Sequence, residues 1–314
     1  MVNSIKITKQ KLHGNDMTDI YKLRSWIDIN NILWDYLSEI PNAVHLLEQN
    51  IDNVYWTYLS RNQNAMHLLE KNIDKINWGA LSANPSAIYL LEKNTDKIYW
   101  YNLSANPNAI DLLKKNVNKI NWYCLSANSN KNAILLLEQN MDKVHWGILS
   151  SNPSALHILE QNMDKIYWPY LSFNPNAIHI LEKNVDKIDW PNLSQNPNAI
   201  HILEKNIDKI NWHNLSRNPN AIHLLEKNTD KISWSYLSQN PNAMDLLEKN
   251  RHKINWYYLS WNTNLLIYDY NKMKKNRAVS GMTEELIAKV FHPDRLVRLC
   301  KKYKLQFLEL IQIY

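Results

Sequence analysis

The chain is 314 residues long with a net charge of +6, and its 45% apolar and 21% charged content excludes a chain too polar to bury a core. Two cysteines are too few for a disulfide scaffold and fit a reducing compartment. No apolar run reaches the roughly 18 residues that span a bilayer, and the opening stretch MVNSIKITKQKLHGND lacks the apolar centre of a signal peptide. The expectation is a soluble intracellular protein without membrane contact.

Charge is unevenly placed along the chain. Residues 34–261 carry 21 basic and 22 acidic side chains, a balance of −1, whereas residues 1–33 carry 5 and 3 and residues 262–314 carry 10 and 5. Nonspecific nucleic-acid binding needs a basic stripe on the contact surface. The middle of the chain offers none.

Residues 1–33 read as an N-terminal cap. Within them TDIYKLRSWIDINNIL, residues 18–33, holds a partial copy of the unit that follows and is expected to cover the first exposed helix.

Residues 34–261 are a repeat. Trp34, Trp56, Trp78, Trp100, Trp122, Trp146, Trp168, Trp190, Trp212, Trp234 and Trp256 recur every 22 residues, with a single spacing of 24 between Trp122 and Trp146. A fixed short period means a solenoid whose units bury their apolar faces against neighbours. Ten full units precede the start of an eleventh. In Trp190–Asn211, Asn196-Pro197-Asn198-Ala199 has the form of a helix start, Asn as cap and proline in the first turn. The helix is expected to run to Lys205, with Ala199, Ile200, Ile202 and Leu203 on its core arc and His201 opposite. Asn206 stands where a left-handed residue ends many helices. The preceding DKIDWPNLS, Asp186 to Ser194, is short and predicts one 3₁₀-like turn carrying Trp190 and Leu193 inward. The serine ending it is expected to bond nearby backbone. The two extra residues near Asn130-Lys131 predict a longer loop before one helix. The fold class is therefore all-α, an α-solenoid of one α-helix and one 3₁₀-like turn per unit, with helical terminal caps.

Residues 262–314 read as a helical, basic C-terminal cap. TNLLIYDYNKMKKN is expected to be a longer last repeat helix. Thr283 caps EELIAKVF, Pro293 starts PDRLVRLCKKY, and LQFLELIQIY adds a final apolar segment.

The LSxNPNA pattern resembles the leucine-rich variant repeat, in which α and 3₁₀ helices alternate along a superhelix. The unit LSxNPNAIxLLEKNxDKIxW, with the tail YDYNKMKKNR…EELIAKVFHPDRLVRL, is similar to the short-repeat proteins of giant nucleocytoplasmic large DNA viruses. That resemblance implies a viral structural or host-interaction setting, in the host cytoplasm or the virion. It brings little established biochemistry with it.

Candidate chemistry is sparse. His45, His67, His157, His179, His201 and His223 share one position, but helices stacked about 8–10 Å apart keep successive rings from converging on one ion, so no metal is expected. The glutamates and aspartates of successive units have identical neighbours, as in Glu204-Lys205 and Asp208-Lys209, so none is set apart as acid or base. Cys124 replaces residues such as Tyr170 in its column, and Cys300 sits in a basic helical stretch. No phosphate loop, dinucleotide fingerprint or metal spacing occurs. The sequence predicts no catalysis and no cofactor.

The informative positions vary: two after each Trp and one after each Ser. They hold Tyr36, Tyr58, Arg61, Tyr101, Tyr123, Tyr170, Phe173, Arg217, Tyr236, Tyr257, Tyr258 and Trp261, an aromatic and arginine set suited to protein contacts. The competing expectation is that these tyrosines pack sideways between turns. The first reading is a non-enzymatic scaffold binding a protein partner through this edge. The alternative is nucleic-acid binding through a basic patch of Lys272, Lys274, Lys275, Arg277, Arg295, Arg298, Lys301, Lys302 and Lys304.

Overall fold

The structure, a computed structural model, describes residues 20–273. Residues 23–266 form one compact unit, and residues 20–22 and 267–273 belong to a second. Among the described residues the architecture is an α-solenoid, with a single two-stranded sheet of β1 (Tyr21–Leu23) and β2 (Leu266–Tyr268).

Each of the ten full units holds two short α-helices and a 3₁₀ turn before the next tryptophan, with a second 3₁₀ turn in three of them, at Pro41–Ala43, Pro85–Ala87 and Pro241–Ala243. These elements are placed differently from the sequence expectation. The Trp-led segment is α-helical, as in Trp190–Gln195, and the 3₁₀ turn is the IDK stretch, as in Ile207–Lys209. Six residues hold as a helix because Asp189 accepts from the Asn192 N–H at the start and Pro191 occupies the first turn. The second helix begins at Ile200 rather than at Pro197. Asn196 does not cap it directly; its side chain accepts from Asn198 N–H across the Pro-Asn turn.

The core is repetitive. Ala199, Leu193 and Leu203 have no exposed surface and Ile188, Ile202 and Ile210 are buried, while Ile200 is half-buried and His201 exposed. Each buried leucine contributes about 1.5–3 kcal/mol. Trp190 is not carried fully inward. It is half-buried, and its outer face lies under Lys209, whose Nζ is 4.7 Å from the ring centroid.

Asn206 overturns the left-handed expectation. Its φ is −135° and ψ 52°, so φ is negative and the residue is not left-handed. Its amide instead donates to the Ile202 carbonyl at 2.8 Å, capping a helix end with a side chain. The same bond recurs in all ten such positions, from Asn50 to Asn250. At each of these positions the asparagine contributes its amide to a helix end.

Two buried polar columns join the units. Ser194 Oγ donates to Trp190 O at 2.8 Å and accepts from the Asn211 N–H at 3.0 Å. Asn196, fully buried, donates both to Ser172 O at 3.1 Å and to Asn174 O at 2.9 Å of the preceding unit. Ten asparagines, Asn62 to Asn262, repeat this double contact; the eleventh position is Ile40.

The serine column shows that the repeat closes on itself. Eleven serine hydroxyls accept the backbone N–H before a tryptophan, and the last is Ser260 accepting from Leu33 at 3.0 Å. The eleventh unit is composite. Trp256–Leu265 supplies its first half and residues 24–33 its second, including the 3₁₀ turn Ile29–Asn31. Arg24 N–H donates to Leu265 O at 3.2 Å, in the place where Ile202 N–H donates to Ala199 O at 3.0 Å. The partial unit before Trp34 thus completes the last repeat rather than covering the first. A closed circle of eleven fixes the rotation at about 33° per unit, the small per-repeat turn that curves any solenoid.

Two further expectations change. TNLLIYDYNKMKKN does not begin as a helix: Leu266–Tyr268, aromatic and β-branched, pairs as β2 with β1. The extra residues between Trp122 and Trp146 lengthen a helix instead of a loop. Asn130 keeps the usual bond to the previous unit, to Pro107 O, and caps the eight-residue helix Lys131–Glu138. The expected helices capped by Thr283 and started by Pro293, and the final apolar segment, lie outside the described residues.

Candidate interaction surface

The Trp-led helices form the inner wall of the circle. Those of neighbouring units pack directly, Trp168–Phe173 on Trp190–Gln195, and one asparagine spans the gap, as in Asn214 Nδ2 to Pro191 O at 2.9 Å. The other wall needs two long side chains to make the same connection, His201 Nε2 meeting Glu182 Oε1 at 2.9 Å. In a closed curve the layer with shorter spacing is the inner one.

This assignment places the histidines on the outside. His67, His157, His179, His201 and His223 each hydrogen-bond a glutamate of the preceding unit. Among the described residues no group of three His, Cys, Asp or Glu is arranged to hold a metal ion. Five of the glutamates, Glu48, Glu138, Glu160, Glu182 and Glu204, are thus each paired with the histidine of the next unit.

The variable columns sit on the inner helices, so the aromatic residues singled out in the sequence share one wall. The structure brings some of them together and leaves others apart. Tyr36 is the hub: its ring stacks on Trp261 with centroids 4.2 Å apart, meets Tyr58 edge-on at 5.5 Å and Tyr257 at 5.4 Å. Its hydroxyl donates to the Tyr257 hydroxyl at 2.8 Å. Tyr257 meets Tyr258 at 5.4 Å, and Tyr258 meets Tyr236 at 5.9 Å. Arg217 lies over Tyr236 at 4.0 Å, with His213 on the same ring at 3.9 Å. Tyr236, Tyr258, Tyr36 and Tyr58 come from four consecutive units once the circle closes. Far apart in sequence, they form one band.

Elsewhere on the wall the aromatics are separate. Tyr101 hydrogen-bonds Cys124, which raises the Tyr101 pKa, and burial raises that of the Cys124 thiol. Tyr123 packs on His145 and Tyr170 on Tyr167. The expectation of sideways packing therefore describes Tyr36, Tyr58, Tyr236 and Tyr258, which are half-buried, as is Arg217. Tyr101, Tyr123, Tyr170, Phe173, Tyr257, Arg61 and Trp261 are exposed, Tyr101 at 56% and Tyr257 at 50%.

Charge on the band is mixed. Burial raises the Glu39 pKa, and the Arg61 charge opposes that shift. Tyr36 is pushed up to about 12, first by its bond to Tyr257 and then by burial. Two contributors were missed in the sequence, Tyr55, 5.3 Å from Tyr58, and Tyr167. Both stand immediately before a tryptophan, a column that also varies and that signals them.

Of the basic patch, Lys272 lies within the described residues, and Lys274, Lys275, Arg277, Arg295, Arg298, Lys301, Lys302 and Lys304 lie outside them, as does Cys300. No helix among the described residues is long and apolar enough to cross a membrane. No family model, no curated protein and no solved structure matches the chain.

Proposed function

We propose that the protein is a non-enzymatic ring scaffold that binds another protein through the aromatic inner wall, with the exposed Tyr101, Tyr170, Phe173 and Tyr257 as its contact residues and the sideways-packed band from Tyr236 to Tyr58 as their support. The observation that carries this reading is the contrast between columns. Core positions are nearly constant around the circle, whereas the inner wall varies and collects tyrosine with little charge. Tyrosine supplies large, rigid contact area at low entropic cost and is enriched where protein interfaces concentrate their energy. Phosphate recognition would need cations that residues 34–261 do not hold in excess. The likeness of the unit to giant-virus short-repeat proteins favours a viral structural or host-interaction setting.

The test is affinity capture with the full chain and with a Tyr101→Ala, Tyr170→Ala, Phe173→Ala variant, all three exposed. A partner retained by the first and lost by the second, at equal thermal stability, supports the reading. Partner capture unchanged in the variant, or capture only of nucleic acid, removes it.

A further inference from the structure

We propose that the ring opens at one place, the seam where residues 24–36 meet Trp256–Leu265, while the remaining junctions stay shut. The inference is independent of whether the tyrosines bind a partner.

It rests on what the seam lacks and on what replaces it. Every other junction carries a buried asparagine that donates to two carbonyls of the preceding unit, Asn62 to Ser38 O and Ile40 O, and so on to Asn262. At the seam that residue is Ile40, which has no donor to offer the Ser260 and Asn262 carbonyls. A lysine lies over each of nine tryptophans from Trp56 to Trp234. The corresponding residues for Trp34 and Trp256, the two beside the seam, are Asn53 and Asn31. The constant polar contacts thus thin out on both sides of the same junction.

Contacts of another kind hold it. Ser260 still accepts from Leu33, Arg24 donates its backbone N–H to Leu265 O and Nε to Asn264 O, and Arg251 lies over Trp26 at 5.7 Å. Tyr36 bonds Tyr257 and stacks on Trp261. Beyond them β1 pairs with β2. These are contacts between the two ends of the repeat region, with no covalent path across the junction. Peeling residues 24–36 from Trp256–Leu265 opens the circle and leaves every other asparagine column intact, whereas opening elsewhere breaks such a column and the chain itself bridges the gap.

Spin labels on two matched pairs test this in the full chain with Cys300→Ser, Cys124 being buried. Asp52→Cys with His252→Cys spans the seam, and Asp142→Cys with Asp186→Cys spans two ordinary junctions; all four sites are exposed and equivalent in their units. Pulsed electron double resonance is expected to give one shared distance, plus a second, longer distance in the seam pair alone. Ile40→Asn should reduce the longer population at least twofold, and Tyr36→Phe with Tyr257→Phe should raise it. A single distance in both pairs overturns the proposal, as does the longer distance at the control pair. If Ile40→Asn does not fold, an unchanged seam population in the double phenylalanine variant also overturns it.

Discussion

The backbone N–H of Leu33 donates to the side-chain oxygen of Ser260 at 3.0 Å across 227 residues of sequence. The same bond joins Asn211 to Ser194 across 17. One local geometry therefore serves both the step from unit to unit and the closure of the whole. The first expected outcomes concern the side chains that set that geometry.

Asn196→Ala removes two donors from buried carbonyls, Ser172 O and Asn174 O. Leaving buried acceptors unpaired costs about 1–3 kcal/mol each, so a loss of several kcal/mol is expected in urea unfolding. Asn196→Asp should cost at least as much, since it sets a carboxylate against the same two oxygens. Midpoints within error of the parent would show that the column is dispensable.

At Asn206 the comparison of two variants separates two explanations. With φ at −135°, glycine gains nothing over alanine, and both lose the amide bond to Ile202 O. Asn206→Ala and Asn206→Gly should each lose about 0.5–1.5 kcal/mol, with glycine no better. A glycine variant as stable as the parent, and an alanine variant well below it, would restore the left-handed reading.

Lys209→Ala uncovers Trp190, whereas Lys209→Met keeps most of the covering stem without the charge. A cation over an exposed ring contributes about 0.5–1 kcal/mol. Methionine should therefore fall between lysine and alanine in thermal stability, and only alanine should shift Trp fluorescence markedly to the red. Equal losses in both would assign the whole effect to the charge.

Tyr36 donates to Tyr257, and its pKa stands at about 12 against an ordinary 10. A raised value means that the folded state holds the proton more tightly. This contribution is full below pH 10 and is lost as pH climbs toward 12. Tyr21, bonded to Tyr268, is raised to about 12 as well, so tyrosinate absorbance should show late-ionising residues at both positions and one fewer of them in Tyr36→Phe. Titration of every tyrosine below pH 11 would contradict it.

Deleting Lys131 and Asn132 restores the common spacing, and deleting Asn130 and Lys131 yields the identical chain. Because the extra residues only extend the helix Lys131–Glu138 at its start, cooperative unfolding should persist. A second transition in the deletion variant would mark a domain boundary there.

The unit was legible in the sequence and the circle was not. Ala199, Leu203 and Leu193 declare themselves by spacing, and the serine column by its constancy. Closure depends on a small rotation repeated at every step, and residue types in the sequence do not report the size of that angle. Asn206 misled because asparagine suits both a left-handed turn and an amide cap, and only the backbone angle distinguishes them. Tyr36 and Tyr257 could not be paired by periodicity, since each belongs to a different end of the chain. Their column was identifiable; their neighbourhood was not.

The composite eleventh unit sets an order on assembly. During synthesis Leu33 emerges long before Ser260, and the half-unit that contains it has no partner until the last repeat is made. Units one to ten can condense as they appear, each on its predecessor, by short-range contacts that form quickly. Joining the two halves requires a loop of more than two hundred residues to close, yet that loop is already a stiff arc whose ends curvature brings together, so little chain entropy remains to be lost. Errors of a few degrees in separate units add up around the arc. The final docking of Leu33 on Ser260 is thus a check on every turn that precedes it.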